Sequence, residues 1–542
     1  MAIGDIVFVK GQGGLGRPLA GQDFISGLLL YYPSGKLPSG FSASGAPGLY
    51  NVLFQPSDAN ALGILPAFDK NNPLSDANFA DATAASGTYT PTGVGSVGDI
   101  TIINAVVLTN VINNGIASVG TKVVTLCTYV TAAGDTSDTI LGASLAAAII
   151  ANSYNTGFTA TAASGVVTII FPKFMGLAAN GSNTLVGASP IVVTLNGASQ
   201  SSEVAQPSGG TQSYQALWYY QISEYFRLQP QGQLYIGFAS TYSSGHTFPE
   251  ITLLQQYSGG TIRQFGILQD GALAYSSAFL TAIDTEIKTN DDAVHMNTSA
   301  LYAADISATT NLATLTNLNT LSANKVSAVI SQDGAAFGAL LFSTYTKSVI
   351  SLGATLGAVS LAAVNESIEW RAKFNMSNGT ELDVPAFGNG QLVKAQAQSY
   401  LDAIDNNRYV FLIKNIGFAG TYFNASHTAI INTSDYAFIE NNRTIDKAIR
   451  GVYSSLLPAL GSPITLNSDG TLTNESIAYF ESLAEVNLNA MVSATELSDF
   501  EVTIDPTQNV SSTNNLVVAI ELLPVGVARS ITVNIGFVVK LT

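Results

Sequence analysis

Apolar and polar residues follow different rhythms in different parts of this chain, and the changes of rhythm mark out its organisation. The first apolar group, Ile3–Val9, reads as a short strand, and Gly11–Gly16 follows as a glycine-rich turn. From Tyr31 to about Gly95 the residues are mainly Gly, Pro, Ser, Ala and Asn, which predicts long surface loops with few short elements. Between about Ser96 and Pro207, Thr and Val alternate with other apolar residues. This period of two predicts strands at Asp99–Ile103, Lys122–Leu126 and Pro190–Leu195. The run Ile140–Ile150 predicts a helix, with Thr136, Ser137 and Asp138 as capping candidates. Phe158–Ala162 and Val166–Phe171 flank a Ser164-Gly165 turn and predict a hairpin. The Ser/Gly/Gln-rich stretch Ser199–Ser213 reads as an exit linker, so the whole segment is expected to be a β-rich module inserted into a larger domain.

From Tyr214 onward the period switches between helix and strand. Trp218–Phe226 predicts an amphipathic helix and Gln233–Ala239 a buried strand. Val326–Ser331 reads as a strand, Gln332-Asp333-Gly334 as a turn, and Phe337–Ala363 as a helix broken near Gly353 or Gly357. Tyr409–Ile413 is a fully apolar strand. Such alternation predicts an α/β layered domain. Near the end, Arg443–Leu457 predicts a helix with Ile445, Ile449, Val452 and Leu456 on its core face, stopped by Pro458 and Gly461. Asn474–Val492 predicts a second helix capped by Thr473 or Asn474, with Glu475 in its first turn. Strands at Leu516–Leu523 and Ile531–Leu541 complete the pattern. In the latter, Ile531, Val533, Ile535, Phe537 and Val539 share one face.

The expected fold class is therefore α/β (α+β) and multidomain. Residues 1–95 form an N-terminal strand and region, 96–207 the inserted β-rich module, 208–405 an α/β middle domain and 406–542 a C-terminal domain. A chain of 542 residues exceeds what one hydrophobic core supports.

Composition sharpens this picture. Hydrophobic residues make up 47% of the chain and charged residues only 11%, with Ser, Thr, Asn, Ala and Gly in place of the missing charge. Burying neutral polar groups against a partner costs far less than burying ions, so such a surface suits extensive protein contact. The formal net charge of −16, with no run of Lys and Arg, argues against nucleic acid as a direct partner. The single cysteine, Cys127, forms no intrachain disulfide and is expected to be a small buried hydrophobe. Met1–Lys10 lacks the basic start and apolar stretch of a signal peptide, so no cleaved export signal is expected. Ser348–Val364, the longest weakly polar stretch, is interrupted by Ser, Thr and Gly. It is expected to pack as a helix, with no membrane insertion.

Catalytic chemistry finds little support. Gly11-Gln-Gly13-Gly-Leu-Gly16 has the spacing of a dinucleotide-binding turn. Arg17-Pro18 and Gly21 interrupt the helix it would need, and Tyr32–Phe41 holds no acidic residue for a ribose. His246, His295 and His427 have no neighbouring His or Cys at metal-ligand spacing. Asn467-Ser-Asp469-Gly-Thr471 resembles a calcium loop only at its start and reads as a turn between two helices. No catalytic residue, cofactor or metal is expected.

Several segments resemble the contractile tail sheath family, in the branch found in phages and phage-like systems of Bacteroidetes-type bacteria. They are Phe8–Leu28, then Ala419–Asn424, Ser434–Tyr436 and Asn442–Arg450, and the tail Leu523–Phe537. The resemblance implies a non-enzymatic subunit, polymerising as stacked hexameric rings around a tail tube and contracting to drive that tube through a cell envelope. The implied partners are the chain itself, the tube protein, and baseplate and tail terminator proteins. The implied location is a virion tail assembled in a bacterial host's cytoplasm. It further implies strand exchange between subunits through Ile6, Val7, Phe8 and Val9 and through Ile531, Val533, Ile535, Phe537 and Val539. A helix of the C-terminal domain would touch the tube, which makes Arg443, Lys447 and Arg450 the candidate contacts. Extracellular injection systems and secretion-system sheaths fit the same residues. A surface adhesin or array protein is the reading outside this class.

Overall fold

The computed structural model describes residues 22–44, 46, 48–66, 76–113, 116–181, 189–269, 273–294, 296–533 and 535–537. The predicted strand at Ile3–Val9, with Ile6, Val7, Phe8 and Val9, lies outside these residues, as do Gly11–Gly16, His295 and Val539. The chain divides into two compact units. The larger comprises residues 24–362 and 366–439, and the smaller 440–542 with 363–365 and the residues up to 23.

The larger unit begins with β1 (Ile25–Tyr32), β2 (Tyr50–Leu53) and α1 (Pro56–Ala61). A β-rich module follows, built from β3 (Ser86–Val94), β4 (Ile100–Asn113), β5 (Ile116–Val130), α2 (Asp138–Ala151), α3 (Ser153–Thr156), β6 (Thr159–Ala163), β7 (Val166–Ile170), β8 (Ile191–Leu195) and β9 (Gln200–Ser208). Helix and strand then alternate through α4 (Tyr214–Leu228), β10 (Gln233–Ser240), α5 (Glu250–Tyr257), β11 (Gln264–Leu268), α6 (Ser277–Val294) and β12 (Ser299–Ala303). The unit closes with β13 (Ser322–Ala323), β14 (Val326–Val329), β15 (Ser331–Asp333), α7 (Phe337–Tyr345), α8 (Leu352–Leu361), β16 (Pro385–Phe387), α9 (Gln398–Asn406), β17 (Leu412–Asn415), β18 (Phe418–Phe423) and β19 (Ala429–Ile430).

A six-stranded sheet in the order β14-β12-β11-β1-β10-β2 organises the larger unit; only the edge strand β2 runs antiparallel to its neighbour. Strands covered on both faces need apolar residues at every position, not alternation. Strand β1 shows this directly, since all eight of its residues are buried. Leu28 and Leu30 join a core with Leu217 and Ile222 of α4 and Leu352 and Leu356 of α8. Leu29 and Tyr31 join a second core with Ile251 and Leu254 of α5 and Ile283 and Ile287 of α6. A pleated strand sends successive side chains to opposite faces, so one segment nucleates both cores.

Several expectations are corrected here. No element was expected over Ile25–Tyr32, where β1 contributes a central strand, and the loop-rich stretch from Tyr31 contains β2 and β3. The single helix Phe337–Ala363 is two helices, and the break falls at Thr346, whose φ of 57° ends α7. Gly353 and Gly357 instead lie inside α8, where a Cβ at Gly353 would sit 1.9 Å from the Gln221 carbonyl oxygen. They let α8 lie directly on α4. Gln332 and Asp333 form strand β15, paired with β16, not a turn.

The module holds a four-stranded sheet, β6-β7-β3-β9, and a three-stranded one, β5-β4-β8. Ser164 and Gly165 both have positive φ, as a two-residue hairpin turn between β6 and β7 requires. Ser137 caps α2 by accepting from the Ile140 N–H at 3.4 Å. The supposed exit linker contains β9, an edge strand paired with β3 from Ser86–Ser208 to Val94–Gln200. The four-stranded sheet thus reaches from Ser86 to Ser208. Ser and Gln suit an exposed edge strand, so composition alone misread this stretch.

Candidate assembly interface

The smaller unit contains α10 (Ile439–Leu456, from Glu440 onward), α11 (Asn474–Ser493), β20 (Leu497–Thr503), α12 (Val510–Thr513) and β21 (Ala519–Pro524). As expected, Thr473 caps α11, its hydroxyl accepting from the Ser476 N–H at 3.2 Å. Asn467–Thr471 is a turn between the two long helices, and its Asp469 carboxylate accepts from the Thr471 N–H at 3.0 Å. The main run of this compact unit begins at Glu440, and β17–β19 belong to the larger one.

Strands β20 and β21 form an antiparallel hairpin, with register from Leu497–Pro524 to Thr503–Ala519. Its period-two pattern puts Phe500, Val502, Ile520 and Leu522 against Ala448, Leu488 and Met491. Among the described residues no third strand pairs with either edge. A two-stranded sheet is the smallest that can exist and is marginal alone; its outer N–H and C=O groups remain open to further pairing.

The residues that follow carry the predicted closing strand. Those described between 525 and 537 lie outside helix and strand. Ile531 is 79% exposed, Val533 73%, Ile535 94% and Phe537 110%. The predicted strand is not formed over the described residues 531–533 and 535–537, all of which are exposed, and this segment pairs with no strand among the described residues. Extended residues with no partner edge gain neither ladder hydrogen bonds nor burial. Just before it, the Arg529 guanidinium donates to the Glu440 carboxylate at the start of α10.

Of the predicted core face of helix α10, Val452 and Leu456 pack into the unit's two cores, while its first half turns charged residues inward as well. Arg443 is 4% exposed and donates to the Ala363 carbonyl at 3.1 Å. Lys447 lies between two carboxylates, 2.8 Å from Asp23 and 2.6 Å from Glu496, and Arg450 reaches Asp23 at 3.4 Å. Burial works to raise the Asp23 carboxyl, but Lys447, bonded to it, and the nearby Arg443 and Arg450 hold it below its ordinary value. Ala448 is buried, while Ile449, expected in the core, is 42% exposed. With Tyr453, Leu457 and Leu460 it forms an outward apolar stripe. The acids that meet the inward cations come from distant positions, Asp23 and Glu496, so the helix's own sequence does not reveal them.

Other candidate chemistry resolves into structural roles. Cys127 is buried, and burial pushes its thiol up to about 11. His246 bonds Glu250 at 3.0 Å and His427 bonds Asp405 at 3.1 Å. Among the described residues no group of His, Cys, Asp and Glu is arranged to hold a metal ion, and no helix is long and apolar enough to cross a membrane.

Residues 435–542 match the family described as DUF2586, C-terminal domain. No curated protein matches the chain. Among solved structures, it is similar to a chain of the anti-feeding prophage baseplate, at 11% identity and a TM-score of 0.40, covering 59% of this chain and 80% of that one. It is also similar to a sheath tail protein from Listeria innocua, at 11% identity and a TM-score of 0.36, covering 92% and 91%. A third similar structure is the sheath complex of the extracellular contractile injection system PVC in its contracted state, at 13% identity and a TM-score of 0.37, covering 59% and 80%.

Proposed function

We propose that this chain is a structural subunit of a contractile tail sheath, without catalytic activity of its own, which polymerises as stacked six-membered rings around a tail tube. The observation that carries this reading is a pairing of opposites within the smaller unit. A hairpin with two open edges, β20–β21, occurs beside a segment whose apolar residues alternate and stand exposed. Added strands gain affinity from main-chain hydrogen bonds and register from alternate side chains. Ile531, Val533, Ile535 and Phe537 of one copy would complete the hairpin of the next, with Val539 continuing the face. The segment Ile6–Val9 is the proposed second donor. The sequence resemblance at Asn442–Arg450 and Leu523–Phe537 points the same way.

On this reading, contraction repacks subunits while the exchanged strands remain paired as hinges, and the larger unit forms the body of each subunit. Helix α10 is the proposed tube contact. Arg443, Lys447 and Arg450 were its expected contacts, but these cations are engaged within the unit, so Ile449, Tyr453 and Leu457 would present the contacting surface. Baseplate and terminator proteins would bound the polymer, and a phage tail is the assembly we favour for the β-rich module.

Negative-stain electron microscopy of the purified chain, intact and lacking residues 525–542, tests the proposal. Tubes or stacked rings from the intact chain, lost on truncation, are the expected result. Monodisperse monomers from the intact chain at high concentration would overturn it and favour an adhesin or array protein.

A further inference from the structure

The larger unit buries two carboxyl groups in one place. Asp333 ends β15 and is 0% exposed; Glu381, 7% exposed, lies in the loop leading to β16. The two Asp333 oxygens accept from the N–H groups of Ala335 at 3.1 Å and Ala336 at 2.8 Å, and Glu381 Oε1 accepts from Phe337 N–H at 3.4 Å. Together they cap α7, whose own N-cap residue, Ala336, supplies no capping side chain. A helix N-terminus carries roughly half a positive charge, too little to balance two carboxylates.

The second Glu381 oxygen decides how the pair is charged. Glu381 Oε2 is buried with no hydrogen-bond partner among the described residues, while its other oxygen and the Asp333 carboxyl accept from successive N–H groups of the same helix end, which places the two acids against each other. Two ionised carboxylates could not face each other so, but an acid donating to a carboxylate satisfies both. The surrounding elements supply no spare cation. From α4 come Tyr220, Glu224 and Arg227, and Arg227 is engaged in a two-pronged pair with Glu224 at 2.6 and 2.9 Å. Helix α7 presents only backbone N–H groups. The space is tight, since a Cβ on Gly338 would lie 2.8 Å from both Asp333 Cβ and the Tyr220 hydroxyl.

The loop carrying Glu381 is tied down elsewhere by neutral or exposed contacts. Arg227 donates to the Met376 carbonyl at 2.9 Å, Gly334 N–H to the Val384 carbonyl at 2.8 Å, and Lys414 pairs with Asp383 at 3.3 Å. Leu382, next to Glu381, holds a φ of 55°, a conformation that needs its surroundings to maintain it.

We propose that Asp333 and Glu381 share one proton as a pH-sensitive latch, which holds the loop 376–384 on the N-terminus of α7 and releases it when the proton is lost. Burial first, and then the facing Asp333 and Glu224, raise Glu381 well above the ordinary carboxylate range; burial, opposed by the two backbone N–H groups, raises Asp333 as well. Groups raised above their unfolded values favour the folded loop in acid. That contribution is complete below the ordinary carboxylate range, fades as pH rises above it and is gone once the raised values are passed. The latch is thus closed at neutral pH and opens in alkali.

Hydrogen exchange of the full chain between pH 6 and 10, corrected for intrinsic base catalysis, reads the latch at the Phe337 amide and in the loop 376–384. Wild type should lose protection there by up to about tenfold per pH unit as pH rises toward the raised Glu381 value, and level off above it, while the core strand β1 stays unchanged. Glu381→Gln, whose amide donates to Asp333 at every pH, should keep a flat profile. A flat profile in wild type, or an alkaline loss as steep in Glu381→Gln, would overturn the proposal. Should that variant not fold, carboxyl-carbon NMR of the wild type decides. A Glu381 resonance titrating in alkali supports the latch, and one titrating in the ordinary carboxylate range rules it out.

Discussion

The six-stranded sheet of the larger unit and the two-stranded hairpin of the smaller one solve the same problem to different degrees. In the first, β1 is enclosed by strands on both sides and by helices on both faces, and every residue of it is buried. In the second, β20 and β21 bury one face only, leave both edges open, and are followed by exposed Ile531, Val533, Ile535 and Phe537. One sheet is enclosed within a single chain; the other has, among the described residues, two strands only. Large apolar side chains left regularly exposed are informative in a way that scattered ones are not.

The sharpest way to break this comparison is through the enclosed sheet. Gly353→Ala would place a methyl group 1.9 Å from the Gln221 carbonyl oxygen and push α8 off α4. It should cost about 3 kcal/mol or more of stability, read by thermal unfolding. An unchanged midpoint would show that the two helices are not so closely packed. Next, Lys447→Met leaves Asp23 and Glu496 without their shared cation and should cost about 2–3 kcal/mol at neutral pH, less than a fully buried pair because these side chains are partly exposed. Because Asp23 is held below its ordinary value, wild type should lose that stability as pH falls through the lowered value. The variant should lose most of this acid slope, and an identical slope would remove Lys447 from the network.

Smaller effects on folding sharpen the other side of the comparison. Ile535→Asp combined with Phe537→Asp should alter monomer stability by less than about 0.5 kcal/mol while abolishing polymers in sedimentation and microscopy. Polymers that persist would show that this segment is not the exchanged strand. Ile449→Ser with Tyr453→Ser should likewise leave stability within about 0.5 kcal/mol, and rings should still form. Only co-assembly with tube should fall, and normal co-assembly would free α10 from that role.

Local chemistry made part of this molecule legible in its sequence. The Thr473 cap, the Ser164-Gly165 turn and the α/β alternation after Tyr214 all act over a few residues, and all appear in the fold. What escaped was set by distant partners. The Ile25–Tyr32 strand lacks alternation because both of its faces are buried. Gln200–Ser208 is a strand only because β3 lies beside it. The inward cations of α10 are met by Asp23 and Glu496, and the carboxyl pair is brought together by β15 and a loop from beyond α8. For the assembly interface, the alternation in the closing segment was readable. The open hairpin that could receive it was not, because an unpaired edge is a property of the sheet.

The pairing of Ser86 with Ser208 has a consequence for how such a chain can change over time. The strands that enter and leave the β-rich module lie side by side, one strand spacing of roughly 4.8 Å apart. The parent backbone therefore meets a narrow gap at this point, and loops at the far ends of the module's strands can lengthen or shorten without moving it, while Phe174 and Met175, which share a core with Leu341 and Tyr345, are held to the parent fold.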